Sequence, residues 1–228
     1  MLSSPNDMGG EYMASEPGTA QQGLTLYHMA PSRSSTILWL LEELGQPYHV
    51  HALDMKRGEN REPAYLAINP LGKVPAIVHD GVLITETGAI CTYLADAFPE
   101  AGLGVPLGDP RRGPYLKWLF FGAGCMDAAL MDRMLKREPG PTSAIGYRDI
   151  DSMLDVIAKA VEPGPYLLGE QFTAADVMIG SGLRWGLYSD LIPKRPDLMA
   201  YAARLGERPA AQRTMKKDME IAASRTEP

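Results

Sequence analysis

The sequence predicts an α/β domain of order β-α-β-α-β-β-α followed by an all-helical domain. Three observations carry this expectation. Two alternating segments flank a helical one at the start, and a Val-Pro strand with a tight hairpin follows. Beyond a Gly/Pro-rich stretch, only helical patterning remains.

Leu24-Thr25-Leu26-Tyr27-His28 alternates apolar and polar residues, the period of a half-buried strand. The polar turn Ala30-Pro31-Ser32-Arg33-Ser34-Ser35-Thr36 leads into a helix whose Ile37, Leu40, Leu41 and Leu44 share one face, and Gly45 stops it. Tyr48-His49-Val50-His51-Ala52-Leu53 alternates again. Strand, helix and strand at these short intervals form a βαβ unit, hence parallel pairing with a right-handed crossover. A charged segment over 55–62 and a short helical piece at Ala64-Tyr65-Leu66 come next.

Asn69-Pro70-Leu71-Gly72-Lys73-Val74-Pro75-Ala76-Ile77-Val78 reads as a turn delivering a strand that begins at proline. Proline has no N–H, so in a sheet it takes a strand start or an edge, and Val74 before it is pushed to extended geometry. The N–H and C=O of Val74 are then free, and such a pair is what an extended peptide needs to add itself like a short strand. A plain strand that starts at proline fits the spacing equally well. Asp80-Gly81 is a strong hairpin dipeptide, and Val82-Leu83-Ile84 returns the chain. A helix over 86–97 follows, with Ile90, Tyr93, Leu94 and Ala97 on one face.

After Pro99, Gly102, Gly104, Pro106, Gly108 and Pro110 mark a linker over 101–110. Helices are expected over 111–134, 145–161, 173–188, 196–205 and 209–222. The domain organisation is therefore a polar tail over 1–22, an α/β domain over 23–100 and a helical domain over 111–228. The tail has neither a basic start nor an apolar core of its own, so it reads as an extension rather than a signal peptide.

Composition narrows the function classes. A net charge of −6, from 22 basic and 28 acidic residues, argues against a nucleic-acid surface. No run approaches the 18 or so apolar residues of a membrane span. Cys91 and Cys125 are too few for a disulfide framework, which points to the cytoplasm. Cys91, between Ile90 and Tyr93, fits a small buried hydrophobe. His49 and His51 alternate on one strand face but have no cysteine or acidic partner at ligand spacing, so no metal is expected.

Four features in order carry a resemblance: the β-α-β-α-β-β-α pattern, Val74-Pro75 at its third strand, Glu86-Thr87 at its last helix, and Thr173-Ala174-Ala175-Asp176 after Tyr166-Leu167-Leu168-Gly169-Glu170-Gln171-Phe172. Together they resemble the cytosolic glutathione S-transferases over about 24–215. The resemblance implies a thioredoxin-like N-terminal domain, an all-helical second domain, glutathione as co-substrate and a homodimer. It also implies a cis Val74-Pro75 bond whose valine backbone pairs with the cysteinyl part of glutathione.

The chemistry of the tripeptide agrees. A helix N-terminus carries unpaired N–H groups and about half a positive charge, which suits the γ-glutamyl carboxylate together with the Thr87 hydroxyl. Glu86 suits the ammonium. The duller alternative is that Glu86 complements the helix dipole while Thr85 or Thr87 caps it, worth about 0.3–1 kcal/mol. Thr87 stands where the family has serine and keeps the hydroxyl.

The family's catalytic group lies between Tyr27 and Thr36. No cysteine occurs there, which disfavours glutaredoxin-like and cysteine-type omega or beta chemistry, and Tyr27 belongs to the strand. Ungapped counting back from Glu43-Leu44-Gly45 puts Ser32 nearest the catalytic serine, with Ser34 second; either also fits a helix N-cap. Arg33 is a candidate source of positive potential. Lys73, His51 and the polar Met55-Lys56-Arg57 segment are candidates for the glycyl carboxylate. Tyr115, Met126 and Tyr188 are taken as the apolar pocket for the electrophile. Gly122 and Gly124, in mid-helix, point to close approach of another backbone or to room for a ligand; a locally kinked helix packed as core fits them equally well. Thr173 and Asp176 read as a capping box rather than as catalytic groups.

The function implied is a serine-type glutathione transferase acting on a hydrophobic electrophile in detoxification. A specialised glutathione-dependent isomerase, ether-cleaving enzyme or disulfide-bond reductase is the alternative within the fold. A non-catalytic binding module is the alternative outside enzymes.

Overall fold

The computed structural model describes residues 23–138 and 140–224. The tail expected over 1–22 lies outside the described residues. The chain begins with β1 (Leu24–His28), α1 (Ser34–Leu44) and β2 (His49–Ala52). A short helix, α2 (Pro63–Leu66), leads to the hairpin β3 (Ala76–His79) and β4 (Val82–Thr85), and α3 (Thr87–Ala97) closes the unit. The sheet order is β2-β1-β3-β4, with β1 and β2 parallel and the other pairs antiparallel. This is the thioredoxin-like arrangement. At the hairpin, Asp80 (φ 48°) and Gly81 (φ 83°) both take left-handed backbone, as a two-residue turn that follows the strand twist requires.

Two local readings change. β3 is an interior strand, not an edge: pairing starts at Ala76, so Val74 and Pro75 lie just before the ladder. Helix α1 also buries more than the expected stripe. Leu38 and Trp39 are as inaccessible as Ile37 and Leu40, because α1 packs on β1 and α3 and is covered by later helices as well.

The helical half comprises α4 (Arg112–Phe121), α5 (Asp127–Met134), α6 (Ile150–Val161), α7 (Ala174–Tyr188), α8 (Pro196–Gly206) and α9 (Pro209–Ser224). The stretch expected as a linker is packed rather than loose. Leu103 and Val105 are buried, and the Leu103 carbonyl accepts the Ala174 N–H at 2.8 Å.

The single helix expected over 111–134 contains a π-helical turn at Gly122–Met126 joining α4 to α5. The two glycines there differ. A Cβ on Gly122 would lie 2.5 Å from Cγ of Met178 on α7, whereas one on Gly124 would meet nothing within 4 Å. Helix α6 starts at Ile150 instead of residue 145, because Asp149 caps it by accepting the Ser152 N–H at 2.7 Å.

The capping box of α7 forms as expected. Asp176 accepts the Thr173 N–H at 2.9 Å, the Leu167 N–H at 2.9 Å and the Tyr201 hydroxyl at 2.8 Å. Burial pushes the Asp176 carboxyl above its ordinary range even against these donors. The buried apolar residues of both halves form one continuous core, from Leu26, Ile37 and Ile77 to Leu119, Ile179 and Leu205.

Candidate active site

One row of residues crosses the sheet: His51 pairs with Tyr27, Tyr27 with Ala76, and Ala76 with Thr85. Strand directions place the same end of every strand beyond that row. The segment after β1 (with Ser32), Val74-Pro75 before β3 and Glu86-Thr87 after β4 therefore converge on one end of the sheet.

The turn before β3 is tightly braced. The Lys73 carbonyl accepts the Tyr65 hydroxyl at 2.6 Å and the Asn69 side-chain amide at 2.8 Å, and the Gly72 carbonyl accepts the Asn60 amide at 2.9 Å. Gly72 (φ 61°) has no room for a side chain, since its Cβ would sit 2.7 Å from the Asn60 carbonyl. Past this brace, Val74 is joined to Pro75 by a cis bond. Among the described residues, neither its N–H nor its C=O has a hydrogen-bond partner. A backbone donor and acceptor are thus held out beside the sheet.

Next to them, Glu86 takes φ 68° and ψ 119°, a conformation that L residues avoid, and its side chain is exposed. Its carbonyl accepts the Ile90 N–H at 2.9 Å, which starts α3. No side-chain cap by Thr85 or Thr87 forms at that start. The partly positive helix end is left open toward the sheet end.

The two serines have different surroundings. Ser34 is fully buried, and its hydroxyl lies 2.8 Å from Nδ1 of His28, 3.3 Å from the Met29 carbonyl and 3.1 Å from the Met29 N–H. Ser32 is partly exposed. Its Oγ stands 2.6 Å from Oγ of Ser34 and accepts the Ser34 N–H at 3.1 Å. Of the two, Ser32 is the partly exposed residue, and Ser34 is buried behind it.

Other predicted site residues lie elsewhere or are engaged. The Arg33 guanidinium pairs with Asp127 on α5 at 2.5 Å and lies over Trp185, so its charge is neutralised between the two halves of the chain. The side chains of Lys73 and His51 are exposed, and the His51 ring rests 5.0 Å from that of Tyr27.

The electrophile pocket requires correction. Tyr115 and Met126 are buried in the core, where burial also pushes the Tyr115 hydroxyl well above its ordinary pKa, and neither presents a surface to solvent. Tyr188 is 90% exposed at the end of α7, away from the buried Tyr115 and Met126. Cys91 is buried, and its thiol is pushed up to about 12, inert as expected. A cavity of about 590 Å³ lies between α6 and α8, lined by Asp155, Lys159, Arg195 and Arg204 among others, and takes no wall from the sheet end.

Two residues of the network escaped the sequence reading. His28 is fully buried, and its Nε2 faces Oδ1 of Asp218 on α9 at 2.9 Å. A signal for His28 existed: Leu24, Leu26 and His28 share one strand face, so a histidine continues an inward row. Nothing near Asp218 in sequence singles it out.

Fold and site together define a thioredoxin-like sheet domain joined to a helical domain, with the Val74 backbone groups and the start of α3 side by side at one end of the sheet. The N-terminal domain of glutathione S-transferases matches residues 22–96. Glutathione S-transferase GstA of Escherichia coli O157:H7 is 30% identical over 176 residues, covering 75% of this chain and 87% of that protein. A solved glutathione transferase from Methylococcus capsulatus str. Bath superimposes with a TM-score of 0.74 at 29% identity, over 86% of this chain and 99% of that one. A glutathione transferase homologue from Sulfitobacter, solved with bound glutathione, gives 0.71 at 29% identity over the same shares. The chain belongs to the glutathione S-transferase family. Among the described residues, no helix is long and apolar enough to cross a membrane, and no histidine, cysteine and carboxylate cluster could hold a metal.

Proposed function

We propose that this chain is a serine-type glutathione transferase that activates the glutathione thiol for attack on a hydrophobic electrophile. The observation that carries the reading is the unpartnered N–H and C=O of Val74, immediately before cis Pro75 and beside the open start of α3. Glutathione lies extended along Val74, pairing its cysteinyl backbone with that residue. Its γ-glutamyl carboxylate meets the α3 N–H groups and the Thr87 hydroxyl, and its ammonium meets Glu86. Lys73 or His51, both exposed at the same end, takes the glycyl carboxylate.

A free thiol has a pKa near 8.5, so only a few per cent ionises at neutral pH. The outward hydroxyl of Ser32 supplies a hydrogen bond to the sulfur anion and raises that fraction. The electrophile enters from the helical half. A homodimer is expected of the family, and Phe120 on α4, 70% exposed, is an apolar side chain such an interface could cover.

Calorimetric titration with glutathione tests the reading. Binding at micromolar to millimolar concentration, followed by conjugation of a chlorinated nitroarene, is the expected result. Absence of binding at millimolar glutathione would overturn it in favour of a binding module. Binding without conjugation would move the function to one of the specialised glutathione-dependent reactions.

A further inference from the structure

Behind Ser32 stands a line of groups that the binding of glutathione does not use. Oγ of Ser32 is 2.6 Å from Oγ of Ser34, which is 2.8 Å from Nδ1 of His28; the opposite ring nitrogen, Nε2, is 2.9 Å from Oδ1 of Asp218. The line runs from the partly exposed surface into the core, since Ser34 and His28 are fully buried and Asp218 is 19% exposed. The carboxylate approaches off the axis of the ring N–H, and among the described residues neither Nε2 nor Oδ1 has a hydrogen-bond partner. A buried imidazole beside a carboxylate is costly as a core filler and needs a role to offset that cost.

We infer that His28, positioned by Asp218, receives the proton of the glutathione thiol through the hydroxyls of Ser34 and Ser32. The inference rests on the proposed docking of glutathione with its sulfur at Ser32. The direction of the hydroxyl chain follows the ring. With neutral His28 protonated on Nε2, toward the carboxylate, Nδ1 accepts from Ser34, Ser34 accepts from Ser32, and Ser32 presents a lone pair outward. A thiol can donate to that lone pair.

When the S–H bond breaks, its electron pair stays on sulfur and its proton goes to Ser32. The Ser32 proton passes to Ser34, and the Ser34 proton to Nδ1. The chain now points outward: the imidazolium donates to Ser34, Ser34 to Ser32, and Ser32 to the thiolate. The same three groups thus accept the proton and then hold the anion. After the sulfur is alkylated, the proton returns by the reverse path to the leaving anion or to water at Ser32.

Other ionisable groups near His28 have partners of their own. Lys217, beside Asp218 on α9, is turned to Glu42 on α1 and to Tyr48. Asp54, beyond β2, accepts the Lys56 and Arg57 N–H groups and faces the Arg57 side chain. The strand neighbour of His28 on β2 is Ala52. Asp218 is the charge that faces the ring.

The test measures the apparent pKa of enzyme-bound glutathione from its thiolate absorbance in the full chain and two variants. Asp218→Asn removes the charge at a partly exposed position, and His28→Asn keeps a hydrogen-bonding side chain toward Ser34 but cannot take a proton. Both are expected to raise the bound thiol's apparent pKa by about one unit, about tenfold less thiolate near neutral pH. The affinity for S-methylglutathione, which has no thiol proton, should stay within about twofold. A readout on the unaltered chain accompanies this: the His28 Cε1–H resonance should move to the imidazolium position with glutathione and not with S-methylglutathione. Glutathione binding with an unmoved resonance and an unchanged thiol pKa in both variants would overturn the relay alone. Failure of the unaltered chain to bind glutathione would overturn the docking and the relay together.

Discussion

Arg208 meets Glu43 with both prongs of its guanidinium, Nε and Nη2 each 2.7 Å from a carboxylate oxygen. Glu43 also accepts the Trp39 indole N–H at 2.9 Å, and the guanidinium carbon lies 3.5 Å from the Phe172 ring centroid. The pair fastens α1 to the α8–α9 corner. Arg208→Ala should lower stability by about 2–3 kcal/mol, because it leaves a nearly buried carboxylate without its charged partner. Arg208→Lys should recover only part of this, since an ammonium offers neither the fork nor the flat stack. Urea unfolding of both variants is the check.

Glu42, the neighbouring residue, supplies a pH test. Burial opposes its ionisation, but hydrogen bonds from Lys217, Tyr48 and Arg213 outweigh burial and bring its pKa from 4.5 down to about 2. A carboxyl depressed on folding contributes stability that is fully present above its unfolded pKa and is lost as pH falls through the folded one. Melting temperature should therefore drop between pH 4.5 and about 2 in the parent chain, and Glu42→Gln should flatten that part of the profile. An equally steep fall in the variant would assign the acid sensitivity to other carboxylates.

Ser32→Ala removes the hydroxyl of the partly exposed serine that stands in front of Ser34. Turnover in conjugation should fall by about a hundredfold, the scale for losing one preorganised donor to a developing anion. The KM for glutathione should hardly move if, as proposed, Val74, Glu86 and Thr87 hold the rest of the tripeptide. Steady-state kinetics with glutathione varied separates the two effects.

Glu86 sits at φ 68°, where a side chain is strained and glycine is not. Glu86→Gly should raise stability by about 1 kcal/mol through relief of that strain. The same change should weaken glutathione binding at least about tenfold by removing the proposed partner of the ammonium. Thermal melts and calorimetry on one sample would show the two moving in opposite directions.

The two glycines of the π-helical turn make a matched pair. Gly122→Ala drives a Cβ to 2.5 Å from Met178 and should cost about 1–3 kcal/mol of overpacking. Gly124→Ala meets open space and should be neutral or stabilising by up to about 1 kcal/mol from helix propensity. Equal effects in denaturant titrations would contradict the packing described for α7.

The sheet domain was readable from sequence because its signals are local. Alternation marked β1 and β2, Asp80-Gly81 marked the hairpin, and Val74-Pro75 and Glu86-Thr87 stood at intervals set by backbone geometry alone. The apolar pocket was not readable. Whether Tyr115, Met126 or Tyr188 faces a cavity, the core or solvent depends on how helices far apart in sequence are rotated against one another, and no local pattern encodes that. The choice between Ser32 and Ser34 had the same difficulty. Both lie in one polar turn, and what separates them is His28, whose inward orientation follows from the parity of β1, and Asp218 on a distant helix.

The attachment of α9 to the sheet domain also bears on the order in which the protein can be completed during its synthesis. Arg213 reaches Glu42 across 171 residues of chain, Lys217 reaches the same carboxylate across 175, and Asp218 closes over the ring of His28 in the first strand. Domains emerging from a ribosome generally fold from the N-terminal end. Here the sheet domain can collapse early, but two carboxylates of α1 and a histidine of β1 await partners that are among the later residues translated. A nascent chain stalled before α9 would hold the Val74-Pro75 turn already formed and His28 without the carboxylate that faces it.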